Sequence, residues 1–383
     1  MNSPRPLSRR RLLQATAATA ACAVAGAPML ALAQSRAADG AGPHVMQLLD
    51  MSPEQQEFSR DYATGIRLAF AELRKANAAA PQLSTVETDG TDVSARHAIQ
   101  LVRNDPAQVA LLGTVGEALA LASLREAAAA KLEIAHVAPW LADSQFDRDP
   151  QVFSLFASRE DQIRYVLKNL AEMGVSELGI VYPNPARAEA LRASTEAIGG
   201  RLKVKLRTLT IPAGQDPAAY ASQLRPDAPF FLVFMGAGIE LAQFTQGLSR
   251  RGMQRYVVCL ADVDTNTFMQ LNPGKSVPII FTQVVPNPRS SKVPVVRAYR
   301  DALQRLFDEA PTPVSLAGYL AGRYAAQVIA STGANPSRAK VLAEFQRRRS
   351  IDVDGWRIEY ADGGRASSFV SQTLLNARGA FVG

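Results

Sequence analysis

Residues 109–137 hold one complete strand–helix–strand unit and read VALLGTVGEALALASLREAAAAKLEIAHV. An apolar run at 109–112 is followed by a loop bounded by Gly113 and Gly116, and the Ala- and Leu-rich stretch 117–130 has the composition of a helix. A second apolar run follows at 132–137. Short strands that alternate with longer helices are typical of a parallel sheet covered by helices.

The same alternation extends in both directions from this unit and predicts an α/β fold. Nine strands are too many for one small sheet, so the sequence predicts two Rossmann-like lobes. The strands are predicted at 45–49, 83–87, 109–112, 132–137, 178–182, 204–209, 230–235, 256–260 and 278–283. Near the C-terminus the period changes, and residues 356–360 and 369–375, separated by 362–364, predict a β-hairpin instead of another strand–helix unit.

Two segments have the character of connections between lobes. Residues 147–158 contain an extended apolar stretch at 152–156, after which the strand–helix alternation restarts. The loop 331–336 follows a helix bounded by prolines and is a further candidate. We therefore predict an N-terminal lobe of residues 44–157 plus 285–332, and a C-terminal lobe of residues 158–284 plus 333–383.

The first 33 residues have the pattern of an export signal. Arg9, Arg10 and Arg11 precede an apolar, Ala-rich run, and small residues at Ala31 and Ala33 suit cleavage before Gln34. The arginines followed by two leucines predict a twin-arginine signal of a bacterial, periplasmic protein, with the general secretory route as the alternative. Cys22 leaves a lipoprotein signal open as another alternative.

Charge and cysteine content exclude several classes of partner. The net charge of the full chain is +7, and removal of residues 1–33 leaves 38 basic against 35 acidic residues, or +3. So small a surplus argues against binding to nucleic acid or to an anionic membrane surface. No later apolar run reaches the ~20 residues of a membrane span, so no membrane insertion is expected after the signal is removed. Cys259 is then the only cysteine, which excludes an intramolecular disulfide.

The usual markers of catalysis, metals and cofactors are missing from the sequence. His44, His97 and His136 do not stand at metal-ligand spacing, and neither a Gly-x-Ser-x-Gly elbow nor a phosphate loop is present. The glycine spacing at 113–116 differs from that of a dinucleotide loop. We therefore expect no enzyme, no cofactor and no metal. Asp262 and Asp264 could form a carboxylate pair, but acidic residues after a strand are common in loops.

What remains is binding in a cleft between two lobes. Ligands of such folds bind at the carboxyl ends of the strands. The loop at 113–116 opens a helix whose free N–H groups could hold a carboxylate, although its two glycines could equally serve a tight turn.

The chain resembles the type I periplasmic solute-binding proteins of ATP-driven (ABC) importers, in the branch that binds leucine, isoleucine and valine. The likeness spans nearly all of residues 44–383, and its carriers are the segments 65–70, 113–116, 152–158, 282–288, 299–306, 315–319 and 355–356. It implies two lobes with three hinge crossings that close on a small-molecule ligand, and docking on a membrane permease.

The resemblance also implies where the ligand contacts lie. The candidates are Thr114, Gly116, Glu117, Ala118, Ala138, Trp140, Arg187, Gly236 and Asp262. Backbone amides at 116–118 would hold a carboxylate, and Asp262 would hold a cationic group. Several positions depart from the family pattern, which normally has small hydroxyl residues where this chain has Glu117 and Ala118. Trp140 could instead stack on a flat ligand and Arg187 could pair a second carboxylate, unless they are a packed tryptophan and a solvated arginine.

The expected function is therefore capture of an amino-acid-like molecule or another organic anion by lobe closure. Two alternatives remain. The same closed lobes could be presented to a membrane receptor or sensor kinase, or an exported enzyme could act through Asp262 or Cys259.

Overall fold

The structure is a computed structural model that describes residues 43–77, 80–263, 265–271, 273–274, 276–360, 364–376 and 381–382. The predicted export signal, Cys22 and Asp264 lie outside these ranges. Among the helices that the described residues form, none is both long and apolar enough to cross a bilayer.

Two sheets carry the fold. The strands are β1 (His44–Asp50), β2 (Gln82–Thr88), β3 (Gln108–Leu112), β4 (Ala135–Val137), β5 (Val152–Phe153), β6 (Glu177–Tyr182), β7 (Lys205–Thr210), β8 (Phe231–Phe234), β9 (Tyr256–Cys259), β10 (Ile279–Gln283), β11 (Ile351–Val353), β12 (Trp356–Ile358), β13 (Ser371–Leu375) and β14 (Phe381–Val382). The first sheet has the order β2-β1-β3-β4-β5 and is parallel throughout, and the second has the order β14-β13-β10-β9-β8-β6-β7. All nine predicted strands are present, and the predicted α/β fold of two lobes is confirmed.

The helices flank these sheets. They are α1 (Gln56–Ala76), α2 (Asp92–Asn104), α3 (Glu117–Ala129), α4 (Arg159–Glu172), α5 (Pro185–Leu202), α6 (Pro217–Ser222), α7 (Gly238–Arg250), α8 (Thr265–Gln270), α9 (Pro294–Leu306), α10 (Pro313–Ala330) and α11 (Arg338–Gln346).

α1 and α10 pack closely because glycines line their contact. A Cβ on Gly65 would lie 1.8 Å from the carbonyl oxygen of Ser315, and one on Gly318 would lie 2.1 Å from that of Tyr62.

The chain passes from the core of one lobe to that of the other before α4 and after β10. Ile163 and Val166 of α4 lie in a core of the second lobe, so the first crossing precedes this helix. Val284 and Val285, just after β10, already lie in the core of the first lobe.

The third crossing lies further along the chain than the predicted loop at 331–336. α11 packs on β3 and β4, and its side chains Val341 and Phe345 lie in the core of the first lobe. Arg338 fastens the start of this helix by donating hydrogen bonds to the carbonyl oxygens of Val102, Asp105 and Gln108. The assignment of residues 333–360 to the C-terminal lobe was therefore wrong, because apolar contacts along α11 hold this segment on the first sheet.

The predicted hairpin between 356–360 and 369–375 is also wrong. β12 pairs with β11 instead, across a turn in which Asp354 and Gly355 have positive φ angles of 47° and 83°. An Asp-Gly turn with two positive φ angles matches the twist of a two-stranded ribbon. β13 instead pairs antiparallel with β10 and extends the second sheet, so the crossing lies between β12 and β13.

Candidate functional site

The loop between β3 and α3 makes a turn that requires glycine. Gly116 caps α3 with a φ of 97°, and a Cβ there would lie 2.7 Å from Cβ of Asp50. Thr114 is only 2% exposed, and its carbonyl oxygen accepts a hydrogen bond from the backbone N–H of Trp140 at 2.8 Å. Ala118 is exposed on the first turn of α3. The loop therefore fixes the start of α3 and ties it to Trp140.

Glu117 links three segments of the chain through ion pairs. Its carboxylate accepts two hydrogen bonds from one Nη atom of Arg159, at 2.8 and 2.7 Å. Arg187 of α5 lies 3.6 Å from the same carboxylate. The Arg159 side chain is 4% exposed and that of Arg187 36%, so these are a buried pair and a partly solvated one. The cluster joins α3 of the first lobe to α4 and α5 of the second.

The charges in this cluster shift the pKa of both carboxyl groups. Burial by itself would raise the pKa of Glu117, but attraction to Arg159 and then Arg187 outweighs it, so the pKa lies below its ordinary value of 4.5. Burial raises the pKa of Asp262, and the attraction of Arg159 offsets this only in part. Glu117 therefore stays ionised at neutral pH, while Asp262 holds its proton up to a higher pH than usual.

Trp140 is held in place by aromatic side chains of the first lobe. Its ring centroid lies 4.9 Å from that of Phe58, 5.5 Å from that of Tyr62 and 5.8 Å from that of Phe156. It also hydrogen-bonds the Asp262 carboxyl group, which comes from the other lobe. Trp140 is therefore an ordered, partly exposed surface at the contact between lobes, as a ligand-covering residue would need to be.

Ala138, two residues earlier, is fully buried and has a positive φ of 48°. Its carbonyl oxygen accepts a hydrogen bond from Tyr62 Oη at 3.0 Å. This residue shapes the chain before Trp140 and presents no side chain to the cleft. Gly236 follows β8, next to Met235, whose carbonyl oxygen accepts a hydrogen bond from Arg187 Nε at 3.3 Å. A Cβ on Gly236 would lie 2.6 Å from the Glu240 carboxylate.

The structure thus brings Glu117, Trp140, Arg187 and Asp262 together and leaves the small residues in supporting positions. It also adds residues that the sequence reasoning missed. One of them is Arg159, the strongest partner of Glu117. The sequence signal that could have identified it is its position as the first residue of α4, directly after the extended crossing. Gln162 Oε1 accepts hydrogen bonds from the Ala261 N–H at 2.9 Å and from Thr282 Oγ1 at 2.7 Å.

Two cavities adjoin Trp140. The first is lined by Trp140 and by residues of β10 and the second crossing. The second is lined by Trp140, Phe156, Gln162, Asp262 and Arg365. Each has a volume of about 20 Å³, which is room for about one water molecule. Within the described part of the chain, no cluster of three or more His, Cys, Asp or Glu side chains could hold a metal ion.

Comparisons with known proteins agree with this fold. The profile of a family described as "Periplasmic binding protein" matches residues 45–370. The chain belongs to this family. The proteins of the family bind solutes and are not enzymes. A comparison with curated protein sequences found no match.

Solved structures show the same fold at low sequence identity. A substrate-binding periplasmic protein from Ralstonia solanacearum is 22% identical with a TM-score of 0.77, over 89% of this chain and 99% of its own. A branched-chain amino acid transporter substrate-binding protein from Streptococcus pneumoniae, in complex with isoleucine, is 12% identical with a TM-score of 0.76, over 89% and 98%. A solute-binding protein of an ABC transporter from R. palustris, in complex with benzoate, is 13% identical with a TM-score of 0.70, over 89% and 95%. The resemblance to the type I fold of the leucine-binding branch is confirmed.

Proposed function

We propose that this periplasmic binding protein is the exported substrate-binding subunit of an ABC importer. It captures a small amino-acid-like molecule or another organic anion between its lobes and delivers it, chemically unchanged, to a membrane permease. Export through the segment 1–33 and a periplasmic location are part of this proposal. Two of the similar structures hold isoleucine and benzoate, which are small molecules with a carboxylate and an apolar body.

The observation that carries the proposal is the meeting of Glu117, Arg159, Arg187 and Asp262 beside Trp140. These side chains come from both lobes, so their contacts form when the lobes close and break when they open. Of the two arginines, Arg187 is held less tightly, because it lies 3.6 Å from the Glu117 carboxylate and its side chain is 36% exposed. It is the residue best placed to receive a ligand carboxylate, while Trp140 covers the apolar body.

A thermal-shift screen of the mature protein tests this proposal. We expect one or more members of a library of amino acids, aromatic acids and dicarboxylates to raise the melting temperature, because a ligand that binds only the folded state stabilises it by mass action. Arg187→Met should weaken the shift, whereas Arg192→Met, at an exposed position of the same helix, should leave it unchanged. A folded protein that no library member stabilises would contradict capture of a small organic solute.

The alternative, a ligand-sensing subunit for a membrane receptor or sensor kinase, shares this binding step. Co-purification with a permease and ATPase supports the importer, and co-purification with a sensor kinase in their place would contradict it.

A further inference from the structure

A third cavity lies at the edge of the second sheet, and it is much larger than the two beside Trp140. Its volume is about 290 Å³, roughly ten times the volume that a water molecule occupies in the liquid. None of the described residues that line it also lines a cavity beside Trp140. It therefore has room for a small organic molecule at a place separate from the cleft.

The cavity exists because α6 packs more closely against α7 than against the edge strand β7. Gly247 of α7 permits this approach, since a Cβ there would lie 2.2 Å from the carbonyl oxygen of Ala218 in α6. A gap remains between α6 and β7, and it is lined by Tyr220 of the helix and Leu209 of the strand.

The apolar part of the cavity wall belongs to the core of the second lobe. Leu224 is a member of that core and is 6% exposed, while Leu209 and Tyr220 are partly buried and pack against it. Ala228, which is 7% exposed, adds a further apolar side chain to the wall. Such a surface suits a flat apolar ring, which gains contact with the Tyr220 ring.

Two arginines of the cavity wall supply positive charge. Arg207 stands two residues before Leu209, so its side chain leaves β7 on the same face of the sheet as that leucine. It donates hydrogen bonds to the backbone carbonyl oxygen of Asp227 at 2.8 Å and to its carboxylate at 3.3 Å. Nε of Arg225 lies 3.2 Å from the same carboxylate, and the Arg225 side chain is 80% exposed.

These contacts leave the two arginines able to hold a second anion. A guanidinium carries five N–H groups, and the contacts to Asp227 use only some of them. Arg207 and Arg225 together carry two positive charges against the one negative charge of Asp227. One further carboxylate would balance the surplus and could accept hydrogen bonds from both guanidinium groups.

We propose that this cavity is a second binding site, separate from the cleft, for a small aromatic monocarboxylate. The ring lies against Tyr220 and the apolar wall, and the carboxylate bridges Arg207 and Arg225 beside Asp227. Binding there does not use Arg187 or closure of the lobes, so this site goes beyond the proposed function. The neutral amide of the same shape lacks the charge that the arginines attract and binds more weakly.

The probe for this site is 4-iodobenzoate, whose iodine locates it in a crystal of the mature protein. We expect an anomalous difference peak in the cavity between α6 and β7. In solution, a ligand-detected NMR titration should show 4-iodobenzoate binding at least fivefold more tightly than 4-iodobenzamide.

Substitutions of the arginines measure their part in solution. Arg207→Met should weaken the binding of 4-iodobenzoate about tenfold, and Arg225→Met, at a more exposed position, about threefold. Because Arg225 is 80% exposed, its replacement keeps the fold. The matched control is Arg201→Met, an exposed arginine of α5 that does not line the cavity, and it should leave the affinity unchanged.

The outcomes separate this site from the proposed function. Affinity that Arg187→Met lowers and the two cavity variants leave unchanged places the probe in the cleft, which overturns the second site and leaves solute capture standing. An iodine peak in the cavity without a matching loss of affinity in Arg207→Met and Arg225→Met shows binding at crystal concentration only and also overturns it. Equal affinities for the acid and the amide, or no binding to the folded protein, do the same.

Discussion

Replacing Glu117 with glutamine should lower the free energy of unfolding by about 2 kcal/mol. Glu117 accepts two short hydrogen bonds from Arg159, whose side chain is 4% exposed. Leaving one partner of a fully buried pair unmatched costs roughly 3–5 kcal/mol. The cost here is smaller because the Glu117 side chain is 26% exposed and because Asp262 also attracts Arg159.

Urea denaturation of a double-mutant cycle measures this energy. The variants are Glu117→Gln, Arg159→Met and their combination, and we expect a coupling of about 1–2 kcal/mol between the two sites. A parallel cycle with Arg187→Met is the control. Because Arg187 lies 3.6 Å away and is 36% exposed, its coupling to Glu117 should stay below about 0.5 kcal/mol. A coupling to Arg187 as large as that to Arg159, or an unchanged stability of Glu117→Gln, would refute the reasoning.

The pH dependence of the same variant gives a further check. The pKa of Glu117 is lowered in the folded protein, so its stabilising effect is fully present above its unfolded pKa of 4.5. The effect is lost as the pH falls through the lower folded pKa. The stability difference between the natural protein and Glu117→Gln should therefore be constant near neutrality and shrink in acid below about pH 4.5.

Three further predictions concern the framework around the site. Gly65→Ala should lower the melting temperature by several degrees, because its Cβ would lie 1.8 Å from a carbonyl oxygen of α10. The control is Gly200→Ala, which has nothing within 4 Å of its Cβ and should stabilise the protein by about 0.5–1 kcal/mol. Equal changes in the melting temperatures of the two variants would contradict this packing. Burial lowers the pKa of His136 from 6.5 to about 4, so the protein should lose about 3 kcal/mol of stability as the pH falls from 6.5 to 4. Denaturation curves of His136→Gln should lack this loss. The same pH profile of stability in His136→Gln and in the natural protein would refute the prediction. Arg338→Met removes three hydrogen bonds to the C-terminal end of α2 and the start of β3, and hydrogen exchange should then show faster exchange in α11 and the first sheet but not in the second.

Part of the candidate site could be read from the sequence because local chemistry encodes it. The glycine spacing at 113–116 predicts a tight turn before α3, and the positive φ of Gly116 shows why glycine stands there. The departures from the family pattern at Glu117, Trp140 and Arg187 marked the side chains that meet beside the cavities. Arg159 could not be found in this way, because its importance comes from a partner far away in the chain.

The turn between β11 and β12 shows the opposite case, since a local sequence signal marks it. Asp354-Gly355 is a strong two-residue turn sequence, and it joins β11 to β12 as that chemistry requires. The run at 371–375 has the same alternating character as a hairpin strand, yet it pairs with β10. Strand character depends on a few neighbouring residues, whereas the choice of partner depends on which sheet edge lies within reach.

The amino-acid order alone determined the alternation of strands and helices, the division into two lobes and the family, because periodicity and turn chemistry act over a few residues. Only the tertiary structure decided that α11 packs on the first sheet and that Glu117 pairs with Arg159. These outcomes depend on contacts between segments tens of residues apart or more, and such contacts are set by the shapes of whole helices and sheets and by the burial of their apolar faces.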